Sequence, residues 1–274
     1  MSESQENRNL NDMNRASAGR PRASSEGAYE IKFLLDPSVA EEIVARVRVE
    51  MQPDPHSDPR MVDGYQINSI YFDTDDLRVF RRLSGFRRRK FRIRRYGDSE
   101  RVFLERKAKS RGIVRKRRTE IDDTELDNVL AATSEPTWTG HWFHQRILKR
   151  ELRPVCQIAY ERIALVGTSQ DEPIRLTVDR NLICRTATGV APQRMEHGEP
   201  LAQDKRVLEM KFRTVLPPIF NAVVRDYQLT PGSVSKYRLG VVACGLHVGL
   251  YGEQSADATA EDGEDGDPTN IRSA

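Results

Sequence analysis

The stretch Lys90-Phe91-Arg92-Ile93-Arg94-Arg95-Tyr96-Gly97 decides the fold of this 274-residue chain. Apolar and basic residues alternate along it, which is typical of a β-strand with one buried face, because successive side chains of a strand point to opposite sides. Arg92 and Arg94 share one face of this strand, and Phe91 and Ile93 share the other. The pattern therefore predicts a strand that is apolar on one side and strongly basic on the other.

Three further stretches place two charged residues two positions apart, next to apolar ones. The pairs are Glu30 and Lys32, Glu105 and Lys107, and Glu209 and Lys211. Such strands side by side favour a closed barrel with a charged interior, and that interior suits a polyanion together with a metal ion. A simpler interpretation of the first two pairs is cross-strand salt bridges on an exposed sheet face, each contributing well under about 1 kcal/mol.

Turn signals and capping residues predict the remaining elements. Residues 87–118 form a meander of three strands, because two glycine-containing turns, at 96–98 and 110–112, interrupt the basic run. Other strands are predicted at residues 29–35, 65–73, 155–166, 174–183 and 206–214. Helices are predicted at residues 37–51, 123–132, 138–152 and 217–229, and from Lys236 after the capping residue Ser235. These elements predict an α+β fold, an eight-stranded antiparallel β-barrel with flanking helices.

The formal net charge of +3 is unevenly distributed along the chain. Residues 253–274 contain seven acidic residues and one basic residue, whereas residues 1–27 balance four acidic residues with four arginines. Subtraction leaves about +9 for the middle of the chain, and a field of that sign favours anionic partners. We therefore predict one folded domain over residues 28–250 between two polar, disordered tails, residues 1–27 and the acidic residues 251–274.

The composition disfavours several classes of protein. No apolar run approaches the ~18 residues needed to span a bilayer, and the polar N-terminal stretch lacks the apolar core of a signal peptide. We therefore expect no direct membrane insertion and a cytoplasmic location. Cys156, Cys184 and Cys244 are odd in number and widely spaced, which fits reduced core thiols rather than a disulfide framework or a zinc site. Nucleic acid is disfavoured as a partner because no aromatic stacking platform lies beside the basic run.

Seven stretches, in this order, resemble the polyphosphate polymerase domain of the vacuolar transporter chaperone (VTC) family, within the CYTH-like triphosphate tunnel metalloenzyme superfamily. They are Tyr29-Glu30-Ile31-Lys32-Phe33, Ser69-Ile70-Tyr71-Phe72-Asp73-Thr74, residues 90–97, Leu104-Glu105-Arg106-Lys107, Tyr160-Glu161-Arg162, Leu208-Glu209-Met210-Lys211-Phe212 and Ser233-Val234-Ser235-Lys236-Tyr237. The resemblance covers about residues 28–248. It implies an eight-stranded antiparallel tunnel, lined by Lys and Arg, that holds a nucleoside triphosphate tail or a polyphosphate chain with Mn²⁺ or Mg²⁺.

The resemblance also implies roles for single residues. The basic residues that would grip phosphates during catalysis are Lys32, Arg92, Arg94, Lys107, Lys116, Arg162 and Lys236. Glu209 corresponds to the carboxylate that holds the metal. The implied substrate-binding residues are Tyr160, Lys211, Glu30 and Glu105, with Tyr160 near the nucleotide base. The alternative for Tyr160 is a plain wall residue of the barrel.

The activity implied is transfer of the γ-phosphate of ATP onto a growing inorganic polyphosphate chain, with release of ADP. Hydrolases of this fold carry Glu-x-Glu-x-Lys on the first strand, whereas residues 28–32 here read Ala-Tyr-Glu-Ile-Lys. Hydrolysis needs an activated water, but the end of a polyphosphate chain is already anionic, so the missing acid favours chain extension. The alternatives are a triphosphatase acting on tripolyphosphate or a nucleotide, and a noncatalytic polyphosphate-binding module. A membrane-protein partner, which would place the domain at a membrane surface, stays open.

Overall fold

The computed structural model describes residues 28–61, 64–87, 89–110, 113–202 and 205–248. The two predicted tails lie outside these residues, so the boundaries of the predicted domain over 28–250 stay a prediction. Within the described part of the chain, no helix has the length and apolar character needed to cross a membrane.

Ten antiparallel strands form one sheet in the described residues. Eight of them are long, namely β1 (Tyr29–Leu35), β3 (Gly64–Asp73), β4 (Arg89–Tyr96), β5 (Arg101–Ser110), β6 (Ile113–Asp122), β7 (Arg153–Ser169), β8 (Glu172–Thr186) and β10 (Arg206–Phe212), and two are two-residue strands, β2 (Gln52–Pro53) and β9 (Glu199–Pro200). The helices are α1 (Pro37–Val47), α2 (His141–Lys149), α3 (Pro218–Asp226), α4 (Lys236–Ala243) and a 3-10 helix at Asp123–Val129. This arrangement confirms the predicted α+β fold with eight main antiparallel strands.

The predicted helix over 37–51 is wrong at its C-terminal end. The helix stops at Val47, with Arg48 as its C-cap. Met51 then packs into the core, and the next two residues pair with Leu165 and Val166 of β7. The burial of Met51 and the pairing of residues 52–53 with β7 together outweigh the local helix propensity of residues 48–51.

Two other predicted helices are shorter than expected. The helix predicted from residue 138 begins at His141, because Trp138 donates its indole N–H to Glu125 at 2.7 Å and stays in the preceding turn. The helix predicted at 123–132 is a 3-10 helix, started by a capping box between Asp122 and Glu125. Strands β7 and β8 extend beyond their predicted ends on both sides.

The strand order is β1-β10-β8-β7-β3-β4-β5-β6, so β1 and β6 are the two ends of the sheet. Within the described residues, no backbone pairing joins these ends, so the eight-stranded barrel is tunnel-like and its sheet is not closed. A salt bridge crosses from β1 to β5, the strand next to β6, instead: Lys107 Nζ lies 2.9 Å from Glu30 Oε1. Long Lys and Glu side chains span a gap across which backbone groups would have to approach to about 3 Å. The sheet therefore forms a tunnel with a salt-bridged seam.

The apolar faces of the strands point away from the tunnel axis and are covered by helices. Helix α2 covers β3 and β4, where the Phe143 ring lies edge-on against Phe91 and Phe72 at centroid distances of 6.1 and 5.7 Å. A second cluster packs α1 and α3 against β1, β8 and β10, with Ile43 and Phe220 fully buried. Because helices on the outside bury the apolar side chains, the inner face is left for charged ones. The three cysteines are free thiols, as predicted.

Candidate active site

A buried glutamate organises the cations on the inner face of the β4–β6 meander. The carboxylate of Glu105 is 2% exposed and contacts Arg92 Nε at 2.6 Å, Lys116 Nζ at 2.5 Å and Arg118 Nε at 3.5 Å. Burial opposes ionisation, but the surrounding cations outweigh it and hold the pKa of Glu105 well below its usual range. Burial lowers the pKa of Lys116 to about 8 despite this partner. The substrate-binding role of Glu105 stays a prediction; in the structure its carboxylate contacts Arg92 and Lys116, two of the predicted phosphate-binding residues.

Arg94 is buried next to this group and joins it to β3 and β7. Its Nε donates to Ser69 Oγ and its guanidinium NH2 to the Tyr160 hydroxyl, both at 3.0 Å. Tyr160 is 2% exposed, and Lys236 Nζ lies 4.9 Å from the centre of its ring. Burial raises the pKa of Tyr160 to about 12, so it stays a neutral hydroxyl. Tyr160 thus orients two cations, Arg94 by a hydrogen bond and Lys236 by a cation–π contact.

Asp179 on β8 fixes two further cations. Arg162 donates two hydrogen bonds to its carboxylate, at 2.6 and 2.8 Å, and Lys236 Nζ lies 2.6 Å from Oδ2. Burial opposes ionisation of Asp179, but Arg162 and Lys236 lower its pKa to about 2. Sequence reasoning missed this residue. The alternation Leu176-Thr177-Val178-Asp179, which puts the aspartate opposite an apolar face, is the signal that could have found it.

The seam of the tunnel carries the remaining predicted residues. Lys32 Nζ lies 3.0 Å from Glu30 and 3.1 Å from Glu209, and Lys107 lies against Glu30 from the other side. Burial disfavours the charge of Lys32, but the two glutamates outweigh it and raise its pKa above the usual value. Lys211 is exposed on the same face as Glu209, opposite Glu30 in the register of β1 and β10.

Helix α4 is held over the tunnel by a buried aspartate at the end of β3. The carboxylate of Asp73 accepts hydrogen bonds from the backbone N–H groups of Thr74, Val79 and Phe80 at 2.7–2.8 Å. The Tyr237 hydroxyl donates to the same carboxylate at 2.5 Å. Because Tyr237 follows Lys236 in the chain, this bond fixes the position from which Lys236 reaches the tunnel.

Lys90 belongs to the same inner face, although sequence reasoning did not include it among the site residues. Its Nζ donates to Ser235 Oγ at 2.8 Å, next to the start of α4. Burial, helped by Lys32, Lys107 and Arg92, lowers the pKa of Lys90 to about 7. The shared face with Arg92 was visible in the alternation, whereas the contact with Ser235, 145 residues away, was not.

The structure brings eleven of the twelve predicted site residues to one face of the sheet, and helix α4 adds the twelfth, Lys236. Together with Lys90 and Asp179, they comprise, besides Tyr160, nine cations and four carboxylates: Lys32, Lys90, Arg92, Arg94, Lys107, Lys116, Arg162, Lys211, Lys236, Glu30, Glu105, Asp179 and Glu209. When all are ionised, these groups leave an excess of five positive charges in a partly water-excluded space. Such a space attracts a chain of phosphates more strongly than an exposed surface does.

The donor set fits a divalent cation that is held partly by its substrate. Within the described residues, no three His, Cys, Asp or Glu side chains form a metal centre of their own. Mg²⁺ and Mn²⁺ bind through one or two carboxylates together with phosphate oxygens and water. Glu209 can supply such a carboxylate: burial opposes its ionisation, but Lys32, Arg162, Lys107 and Lys236 hold its pKa well below the usual range.

The fold and the site define a tunnel-like antiparallel β protein whose inner face carries more cations than carboxylates. The chain belongs to the VTC domain family, which matches residues 27–244. The match confirms the resemblance carried by the seven sequence motifs. No curated protein matches the chain significantly.

The chain is also similar to solved structures of low sequence identity. A Hippeastrum protein, assigned as an adenylyl cyclase and reported to have a dominant triphosphatase activity, is 14% identical, over 82% of this chain and 98% of that chain, with a TM-score of 0.46. A protein from Bacillus halodurans, assigned as an adenylate cyclase, is 11% identical over 76% and 95% of the two chains, with a TM-score of 0.44. A protein from Pyrococcus horikoshii is 15% identical over 77% and 97%, with a TM-score of 0.41.

Proposed function

We propose that this chain is a polyphosphate polymerase, which transfers the γ-phosphate of ATP onto a growing inorganic polyphosphate chain and releases ADP, with Mn²⁺ or Mg²⁺. Membership of the VTC domain family supports an enzyme that acts on phosphate compounds. The excess of cations on the inner face supports a substrate with several linked phosphates. Phosphoryl transfer needs mainly positioning and charge neutralisation, which are what such a face can supply.

The ionised state of the inner carboxylates is the observation that favours chain extension over hydrolysis. Neighbouring cations hold the pKa values of Glu105, Asp179 and Glu209 low, and Glu30 is ion-paired with Lys32 and Lys107. A carboxylate with a lowered pKa is a weak general base, so these groups are poorly suited to activate water. The terminal phosphate of a polyphosphate chain carries its own negative charge and needs only to be aligned with the γ-phosphorus of ATP.

The cations divide into two kinds by chemistry. Arg92, Arg94 and Arg162 are planar and held by fixed partners, so they would bind phosphate oxygens in defined directions. Lys107 and Lys116, whose amines lie on half-exposed side chains, would act as mobile charges that follow the chain as it advances.

Glu209 would hold the metal in this proposal. A divalent cation held there would supply positive charge against the negative charge that develops on the phosphates during transfer. Lys32, which now pairs with Glu209 at 3.1 Å, would be released to bind a phosphate oxygen. A cytoplasmic location and attachment to a membrane through a partner protein stay predictions.

The test is to incubate the purified protein with ATP and Mn²⁺ and to separate ADP, free phosphate and long-chain polyphosphate. We expect ADP to appear together with polymer. Glu161→Gln is a suitable control, because Glu161 pairs with Arg180 on the opposite face of β7. Free phosphate as the main product would identify a triphosphatase, and polyphosphate binding without ADP release would identify a noncatalytic module.

A further inference from the structure

A second group of cations lies on the outer face of the meander that forms one wall of the tunnel. Strand alternation places Arg89, Arg106 and Arg117 there, and Arg106 and Arg117 are directly paired across β5 and β6. Helix α2 packs on the same face and its C-terminal end adds Arg146 and Arg150. We call these five residues the outer arginine cluster.

Neutral groups, rather than carboxylates, hold the outer arginine cluster in place. Arg117 Cζ lies 4.2 Å from the centre of a Trp142 ring, and Arg146 donates to the Trp142 carbonyl oxygen at 2.7 Å. Arg150 donates to the Gly85 carbonyl oxygen at 3.0 Å. Within the described residues, no Asp or Glu forms a salt bridge with any member of the cluster. The guanidinium groups of Arg117, Arg146 and Arg150 are therefore pre-positioned but not neutralised.

Two observations indicate that grouping these arginines is energetically unfavourable in the folded protein. The Nε atom of Arg106 is buried and has no hydrogen-bond partner in the described residues. Burial, followed by repulsion from the other arginines, lowers the pKa of Arg106, Arg117 and Arg150. A bound anion would satisfy the free N–H group and remove the repulsion at once.

We propose that the outer arginine cluster is a second binding site for inorganic polyphosphate, outside the tunnel. The cluster extends across three neighbouring strands, about 10 Å at the usual strand spacing, and continues onto a helix. A row of this length suits an extended chain of phosphates better than a compact anion, and guanidinium groups bind phosphate oxygens in pairs. The choice of polyphosphate as the ligand rests on the proposed function.

The three strand residues of the cluster are adjacent in sequence to lysines of the inner face. Arg89 is next to the tunnel residue Lys90, Arg106 is next to Lys107, and Arg117 is next to Lys116. Each of the three strands therefore carries a cation on both faces at the same level. A polymer that emerges beside these strands meets the outer cluster while its growing end is still in the tunnel, which raises the effective concentration of that end. The expected consequence is longer product chains.

The test compares two double variants that remove the same charge. Arg106→Gln with Arg117→Gln removes the cross-strand pair of the cluster. Arg194→Gln with Arg225→Gln is the control, because both arginines are exposed and already have carboxylate partners. Binding of end-labelled long-chain polyphosphate is measured by fluorescence anisotropy in an Arg92→Ala background, which weakens the contribution of the tunnel. Thermal unfolding of each protein verifies that it is folded.

We expect the cluster variant to bind polyphosphate at least about tenfold more weakly, since two charge-assisted contacts are lost, and the control to bind within about twofold of its parent. Without the Arg92→Ala change, the cluster variant should release ADP at the parental initial rate but make shorter chains. Unchanged binding, or equal weakening in both double variants, would overturn the proposal. The proposal would also be overturned if the cluster variant kept its binding to polyphosphate but lost binding to phosphatidylserine vesicles or to duplex DNA. The site would then serve a membrane or a nucleic acid. Weaker polyphosphate binding in a protein that makes no polymer would support the outer site and refute only the proposed function.

Discussion

Replacing Asp179 by Asn should destabilise the fold strongly, because its carboxylate is the shared partner of two buried cations. Asp179 is fully buried, and its oxygens lie 2.6–2.8 Å from donors of Arg162 and Lys236. An amide keeps the shape but presents an N–H₂ group to one of these donors and leaves two positive charges without a counter-charge. Breaking a buried ion pair on one side costs about 3–5 kcal/mol. At roughly 2–4 °C per kcal/mol for a domain of this size, the melting temperature should fall by about 6–20 °C.

A neighbouring pair provides a matched control for this prediction. Glu161 and Arg180 also join β7 to β8, one residue along each strand, but both side chains are about one-third exposed. Glu161→Gln should therefore cost less than about 1 kcal/mol. The assay is thermal and urea unfolding with and without tripolyphosphate, which should stabilise Asp179→Asn more than the parent, because its phosphates supply the missing negative charge. Equal losses in the two variants, or no extra rescue by tripolyphosphate, would refute this account of the inner face.

Three further predictions concern catalysis. Glu209→Gln should abolish turnover at limiting Mn²⁺ while circular dichroism shows an intact fold, since an amide is a poor ligand for a hard cation; wild-type turnover would remove Glu209 from the site. Arg92→Ala and Arg94→Ala should each lower turnover at least tenfold, which corresponds to about 1.4 kcal/mol or more of transition-state stabilisation. Arg89→Ala, on the outer face, should leave the initial turnover unchanged. Equal, salt-sensitive losses of turnover in all three variants would contradict the assignment of these residues to separate faces. Lys116 has a pKa of about 8, so its side chain is charged below that pH and neutral above it. The KM for polyphosphate should therefore rise between pH 7 and 9, and Lys116→Arg, which keeps the charge, should flatten this pH profile.

Strand alternation alone was enough to separate the two faces of the sheet. The rule that residues two apart share a face depends only on local backbone geometry, so Arg92 and Arg94 could be assigned together, as could Glu30 with Lys32. The same rule placed Phe91 and Ile93 on the apolar face that the helices cover. Element ends were less predictable, because the end of α1 depends on the pairing of residues 52–53 with β7, more than 110 residues away in sequence.

Partners across the tunnel could be assigned only from the tertiary structure. Asp179 binds Lys236, Tyr237 binds Asp73, and Lys107 crosses the seam to Glu30, over separations of 57, 164 and 77 residues. No local pattern encodes which strands become neighbours or where α4 rests. Burial and neighbouring cations lower the pKa of Lys90 to about 7, and both exist only in the folded chain. The sequence by itself therefore determined the charges and the strand faces that carry them, because the two-residue period of a strand is a local property. Only the tertiary structure decided which charges neutralise each other, because strand register and desolvation depend on residues far apart in the sequence.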